Sequence, residues 1–231
     1  MQSELIRATP GASASRRIVL IPGANQTVHD LEAAGFVSAV RERRLDIDIV
    51  LVTPEPAHLL DRSMLVQLHT DVVVPARSAG CTSMWLAGIS WGGFLALLYA
   101  AGHPGQLEGI CLLAPYLGQR TICTEIHGFG SLAAWSAGTA CLHDALAEDR
   151  SVWRYIAGRT AHRAPKLYLA FGRDDRFGEA QRLLAGLLPA GAVDIVGGEH
   201  HIDVWRQLWD RFLDWYAGAA SAPLLQRGAR Q

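Results

Sequence analysis

Lysine is almost absent from this 231-residue chain: of its 21 basic residues only Lys166 is not arginine, and the arginines are scattered rather than clustered. With 22 acidic residues the formal net charge is −1, so there is no basic excess to hold nucleic acid or an anionic membrane. No C-x-x-C pair occurs among Cys81, Cys111, Cys123 and Cys141, which excludes a zinc knuckle and a thioredoxin-like motif. Free buried thiols in a reducing, cytoplasmic compartment are expected instead. The opening MQSELIRATPGASASRR has no apolar core, so no secretory signal is expected. No G-x-G-x-x-G follows the first apolar run and no Gly-Lys phosphate loop exists, which argues against nucleotide binding. The most apolar stretch, Met84–Gly102, is about long enough to span a bilayer but is interrupted by Gly88, Ser90, Gly92 and Gly93. A buried strand turning into a buried helix explains it better, and no membrane span is expected.

What the chain does have is 50% hydrophobic and 19% charged residues, the composition of a globular protein. Its length fits a single domain over 1–231 that can bury about 70–75% of its unfolded surface without staples. A short continuous apolar run at 18–23 predicts a strand buried on both faces, and further strands, most of them near-continuously apolar, are predicted at 47–52, 83–89, 107–114, 166–171 and 192–196. Helical patterns fall between them at 28–44, 57–72, 92–101 and 178–188, with a last helix at 203–216. Strands alternating with helices imply an α/β fold: a mostly parallel, roughly six-stranded sheet with helices on both faces. Residues 116–163 break the rhythm, and a stretch that long implies a functional loop or a helical insertion. Residues 1–15 and 218–231 are expected to be flexible tails.

The chemistry concentrates at Gly88-Ile-Ser-Trp-Gly-Gly93, a G-x-S-x-G between an apolar strand and an apolar helix. A serine on such a sharp turn needs neighbours without side chains, hence Gly88 and Gly92, and it faces the free N–H groups of a helix start. A serine hydroxyl is a poor nucleophile until a base takes its proton, and the base needs an orienting acid. Two later strand ends supply candidates: Asp174 and Asp175 in Gly172-Arg-Asp-Asp-Arg176, and His200 and His201 in Gly197-Gly-Glu-His-His201. All three segments fall at the C-terminal ends of strands, where open α/β sheets place their sites. The plain alternatives are a solvated charge cluster at the aspartates and a metal site of His200, His201, Glu199 and Asp203. His29, His58, His69, His103, His127, His143 and His162 are expected at the surface or in the core. Trp205, Trp209, Phe212 and Tyr216 recur at helical spacing as a core stripe.

Together these segments resemble the α/β-hydrolase superfamily over about residues 18–216, anchored at Pro22-Gly23-Ala24, Gly88–Gly93, Gly172–Asp175 and Gly198–Trp205. Its usual Gly-x-x-Asp selects Asp175 over Asp174, and an aromatic five residues past the histidine selects His200 through Trp205. The resemblance implies Ser90 as nucleophile, His200 as base, Asp175 as its orienting acid, and the Ala24 and Trp91 N–H groups as the oxyanion hole. It implies no metal and no organic cofactor. It also implies that 116–163 is a lid over the site, offering Phe129, Leu132, Trp135, Leu142, Trp153, Tyr155 and Ile156 to an apolar pocket. The usual antiparallel edge hairpin is expected to be missing. The expected activity is hydrolysis of a small-molecule carboxylic ester or thioester with a small to medium apolar acyl group. The same triad could serve acyl transfer or carbon–carbon bond hydrolysis, and the scaffold could serve a non-catalytic binding protein.

Overall fold

The computed structural model describes residues 1–24, 26–54, 63–140, 142, 145–159 and 164–221. The strands are β1 (Gln2–Ile6), β2 (Arg16–Ile21), β3 (Asp48–Thr53), β4 (Ser83–Ile89), β5 (Gly109–Leu113), β6 (Lys166–Gly172) and β7 (Val193–Val196), and the apolar runs form all of them but β1. They make one open sheet in the order β1-β3-β2-β4-β5-β6-β7. Every pairing is parallel except that of β1 with β3. The central strands are buried on both faces, as parallel strands covered by helices must be.

The helices are α1 (Val28–Ala33), α2 (Phe36–Glu42), α3 (Ser63–Gln67), α4 (Val74–Ser78), α5 (Trp91–Gly102), α6 (Arg120–Gly128), α7 (Leu132–Gly138), α8 (Ala147–Ala157), α9 (Gly178–Ala185) and α10 (Ile202–Ser221). A π-helical turn, Leu68–Val73, joins α3 to α4. Alternate residues of each strand feed two apolar layers. Ile18, Leu20, Trp85 and Ala87 pack under α1, α2 and α10, whereas Val19, Ile21 and Leu86 pack under α5 and the helices around it. Inside the first layer Trp209 of α10 donates its indole N–H to the Phe36 carbonyl at 2.9 Å, and its ring lies beside the Phe36 ring.

Three expectations need correction. Residues 2–6 of the expected flexible arm form Gln2–Ile6, a seventh, antiparallel edge strand, which pairs with the distant β3 and not in a hairpin. Its sequence, QSELI, is exposed along nearly its whole length and so carries no buried apolar run. The following residues are tied down by buried Asp48, which accepts the Ala8 N–H at 3.0 Å and the Ala14 N–H at 3.1 Å and pairs with Arg17 at 3.4 Å. Second, the helix expected over 28–44 is two helices, broken at Gly35 in the left-handed region (φ +84°). Third, α10 runs past residue 218 to Ser221; residues 222–231, expected as a tail, lie outside the described residues.

The interval 116–163 holds α6, α7 and α8. Trp135 and Trp153 are fully buried in the core layer around α5, and Trp153 donates its indole N–H to the Leu117 carbonyl at 2.7 Å. Phe129 and Leu142 are exposed. Cys81, Cys111 and Cys123 are free and buried, while Cys141, His58, His143 and His162 lie outside the described residues. Among the described residues no helix is long and apolar enough to cross a membrane.

Candidate active site

Ser90 stands between β4 and α5 with φ +52° and ψ −116°, a backbone conformation that side chains rarely adopt. Surrounding contacts impose it. Its N–H donates to the Leu113 carbonyl at 2.9 Å, and its carbonyl accepts from Gly93 and Tyr116, both at 3.0 Å. A Cβ on Gly88 would collide with the Gly92 carbonyl, and one on Gly92 would collide with the Ile21 and Pro22 carbonyls. These collisions are the reason for both glycines of the G-x-S-x-G. Ser90 itself is only 8% exposed.

The acid turn and the histidine turn are latched together across the ends of β6 and β7. Arg173 donates its N–H to the Val196 carbonyl at 2.8 Å, and Asp174 donates to the Gly198 carbonyl at 3.1 Å. Gly198 takes φ +117°, which lets the chain double back beside Gly172 and Val204. Within this frame Asp175 is buried and both of its oxygens are engaged: Oδ1 accepts the Phe177 N–H at 2.9 Å and Oδ2 lies 2.8 Å from His200 Nδ1. Asp174 is exposed.

His200 Nε2 lies 2.9 Å from Ser90 Oγ. An ionised carboxylate can only accept, so the Asp175 contact puts the ring proton on Nδ1. Nε2 is thereby left with its lone pair toward the serine hydroxyl. The imidazole is clamped edge to face by Phe177 at 5.0 Å and by Trp205 at 4.8 Å between ring centroids. His201 points elsewhere: its side chain is 65% exposed, with Nδ1 3.2 Å from Asp203 Oδ2. Among the described residues no group of three His, Cys, Asp or Glu side chains could hold a metal ion.

Of the two expected N–H donors, Trp91 is the first residue of α5, where no carbonyl one turn back exists within the helix to receive its N–H. Ala24 follows Gly23 in a turn closed by the Gln26 N–H bonding to the Gly23 carbonyl at 3.2 Å. That turn lies over the elbow, since a Cβ on Gly23 would be 3.5 Å from Ser90 Cβ.

Phe177, whose ring touches His200, also lines a cavity of about 480 Å³ together with Tyr116, Gly118, Gln119, Arg120, Cys123, Arg176, Glu179 and Ala180; Ser90, Asp175 and His200 do not line it. None of Phe129, Leu132, Trp135, Leu142, Trp153, Tyr155 or Ile156 lines it, so the expected apolar set does not form this pocket. The first residues of the interval and of α6 do, together with the turn into α9. Phe177 is the site residue that sequence reasoning missed. Its position two residues past Asp175, where a backbone N–H can cap the carboxylate, was the available signal.

No protein-family model and no curated protein matches the chain. Solved structures do. A ferulic acid esterase superposes with a TM-score of 0.62 at 13% identity, covering 91% of this chain and 89% of its own. Est1E from Butyrivibrio proteoclasticus gives 0.59 at 16% identity, covering 93% and 94%. The monoacylglycerol lipase of Paleococcus ferrophilus gives 0.54 at 15%, covering 96% and 100%. The chain has the α/β-hydrolase fold. The likeness spans nearly the full length of each partner, and at these identities it is a likeness of fold. In this fold the edge strand β1 is antiparallel, and Ser90, Asp175 and His200 all follow parallel strands.

Proposed function

We propose that this chain is a serine hydrolase that cleaves a small-molecule carboxylic ester or thioester through an acyl-enzyme on Ser90. The observation carrying this reading is the continuous line of hydrogen-bond distances from Asp175 through His200 to Ser90 Oγ, 2.8 Å and 2.9 Å. Ser90 Oγ attacks the carbonyl carbon while His200 Nε2 takes its proton. Asp175 holds the ring in the productive tautomer and stabilises the imidazolium. The oxygen becomes an oxyanion, stabilised by the N–H groups of Trp91 and Ala24 and by the dipole of α5. His200 then returns the proton to the departing alcohol or thiol oxygen or sulfur. Water, activated by the same imidazole, releases the acid and regenerates Ser90. No metal or organic cofactor takes part in these steps. The beginning of the 116–163 interval serves as a partial cover over the site, and the cavity beside Phe177 has room for a small to medium apolar body.

The test is steady-state hydrolysis of para-nitrophenyl esters and acyl thioesters from acetate to decanoate by wild type and Ser90→Ala. Wild type should show an optimum within the series, and Ser90→Ala should lose roughly ten-thousand-fold or more in kcat while keeping its fold. Equal rates in the two proteins would refute the proposal.

A further inference from the structure

Phe177 is a hub between the triad and a cation. Its ring stands edge to face with His200 at 5.0 Å and with Tyr116 at 5.3 Å between centroids, and the Arg176 guanidinium lies over it at 4.8 Å. All but His200 line the cavity described above. A single aromatic ring therefore touches both the imidazole and a guanidinium, the latter through a cation–π contact.

The charges around this rim do not cancel. Arg120 and Glu179 pair with each other across the opening at 3.3 Å, joining α6 to α9. Arg176 has no carboxylate within ion-pair distance among the described residues; its contact is the Phe177 ring. Tyr116, Phe177, Ala180 and Cys123 give the cavity its apolar lining, and of these Phe177 touches His200 and Tyr116 donates its N–H to the Ser90 carbonyl. Apolar lining together with an uncompensated guanidinium suits a substrate whose reacting carbonyl and anionic end are separated by a short apolar or aromatic body. Guanidinium binds carboxylate and phosphate oxygens through paired N–H donors.

Resting on the serine-hydrolase reading, we propose that the part of the substrate filling this cavity ends in an anionic group, a carboxylate or phosphate, recognised by Arg176. The cavity does not distinguish acyl from alcohol side, so the test covers both. On the acyl side the mono-para-nitrophenyl ester of hexanedioic acid is compared with para-nitrophenyl hexanoate. On the alcohol side the butanoate ester of 3-(4-hydroxyphenyl)propanoic acid is compared with that of its methyl amide.

The quantity read is the ratio of kcat/KM within each pair, wild type against Arg176→Gln and Arg176→Glu, so that intrinsic reactivity cancels. In at least one pair the preference for the charged ester should fall about tenfold in Arg176→Gln and further in Arg176→Glu, chiefly through KM, and should shrink with added salt in wild type. Ratios that do not move in either pair, with the esters still hydrolysed, would overturn the anion proposal and leave the hydrolase reading standing. Should no ester be turned over, the hydrolase reading fails. Binding of hexanedioate against hexanoate, followed by NMR on wild type and Arg176→Glu, then decides the cavity's preference alone: equal binding in the two proteins overturns it. Phenyl phosphate in place of hexanedioate distinguishes phosphate from carboxylate.

Discussion

Gly92 and Pro22 approach so closely that a Cβ on Gly92 would lie 2.6 Å from the Pro22 carbonyl oxygen. The elbow helix is thus seated directly against the end of β2, and the segment that carries Ala24 is fixed relative to Ser90. Gly92→Ala must push these backbones apart. A loss of about 2–4 kcal/mol in denaturant unfolding is expected, with turnover falling further than stability does. A variant as stable and active as wild type would show that the contact does not position the site.

Ser90 stores strain for its role. In that conformation a glycine costs nothing sterically, whereas a residue with a Cβ costs about 1–3 kcal/mol. Glycine gives back part of this through a more flexible unfolded chain. Ser90→Gly should therefore be inactive yet more stable than wild type by about 1 kcal/mol, read as a raised midpoint in thermal or urea unfolding. An inactive variant that is also less stable would mean the strain is absent.

The neighbouring aspartates and histidines should separate sharply. Asp175 is buried and spends both oxygens on Phe177 and His200, while Asp174 is exposed. Asp175→Asn should lower kcat by about three to four orders of magnitude by favouring the wrong imidazole tautomer. Asp174→Asn should stay within about twofold of wild type, as surface substitutions usually do. His200→Gln and His201→Gln should divide in the same way. A reversed ranking in either pair would contradict the assignment.

Asp149 on α8 accepts the Gln119 N–H at 2.9 Å and so braces the wall of the cavity. Burial pushes its carboxyl above the ordinary range, against the pull of that N–H. A carboxyl raised in the folded state binds more protons there than in the unfolded chain. Its contribution to stability is full below the unfolded value and is lost as pH rises through the folded one. Asp149→Asn keeps an acceptor oxygen for Gln119 without the buried charge. It should match wild type in acid and exceed it at neutral pH. Parallel urea titrations at the two pH values check this, and a variant weaker at neutral pH would contradict it.

Much of this fold was legible because parallel strands covered on both faces must be written as unbroken apolar runs. Ile18–Ile21, Met84–Ile89 and Leu167–Phe171 are such runs, and each lies within a strand. The elbow was legible for a steric reason: only glycine fits at 88 and 92. Gln2–Ile6 was not, since an exposed edge strand needs no apolar pattern and takes its order from β3 and Asp48. The course of 116–163 was also hidden. Its tryptophans look like pocket residues in sequence, yet Trp135 and Trp153 are spent on packing against the α5 layer. The place of Phe177 two residues past Asp175 was readable as a cap on the carboxylate, whereas its ring contacts with His200, Tyr116 and Arg176 join segments far apart in sequence and were not.

Intact-mass measurement after exposure to a fluorophosphonate tests the central claim most directly, because the reagent reacts fastest with a serine whose hydroxyl a neighbouring base has activated. The account predicts one adduct on wild type, none on Ser90→Ala, and strongly slowed labelling of His200→Gln. A folded wild type that takes no adduct, or one still labelled after Ser90→Ala, would contradict it.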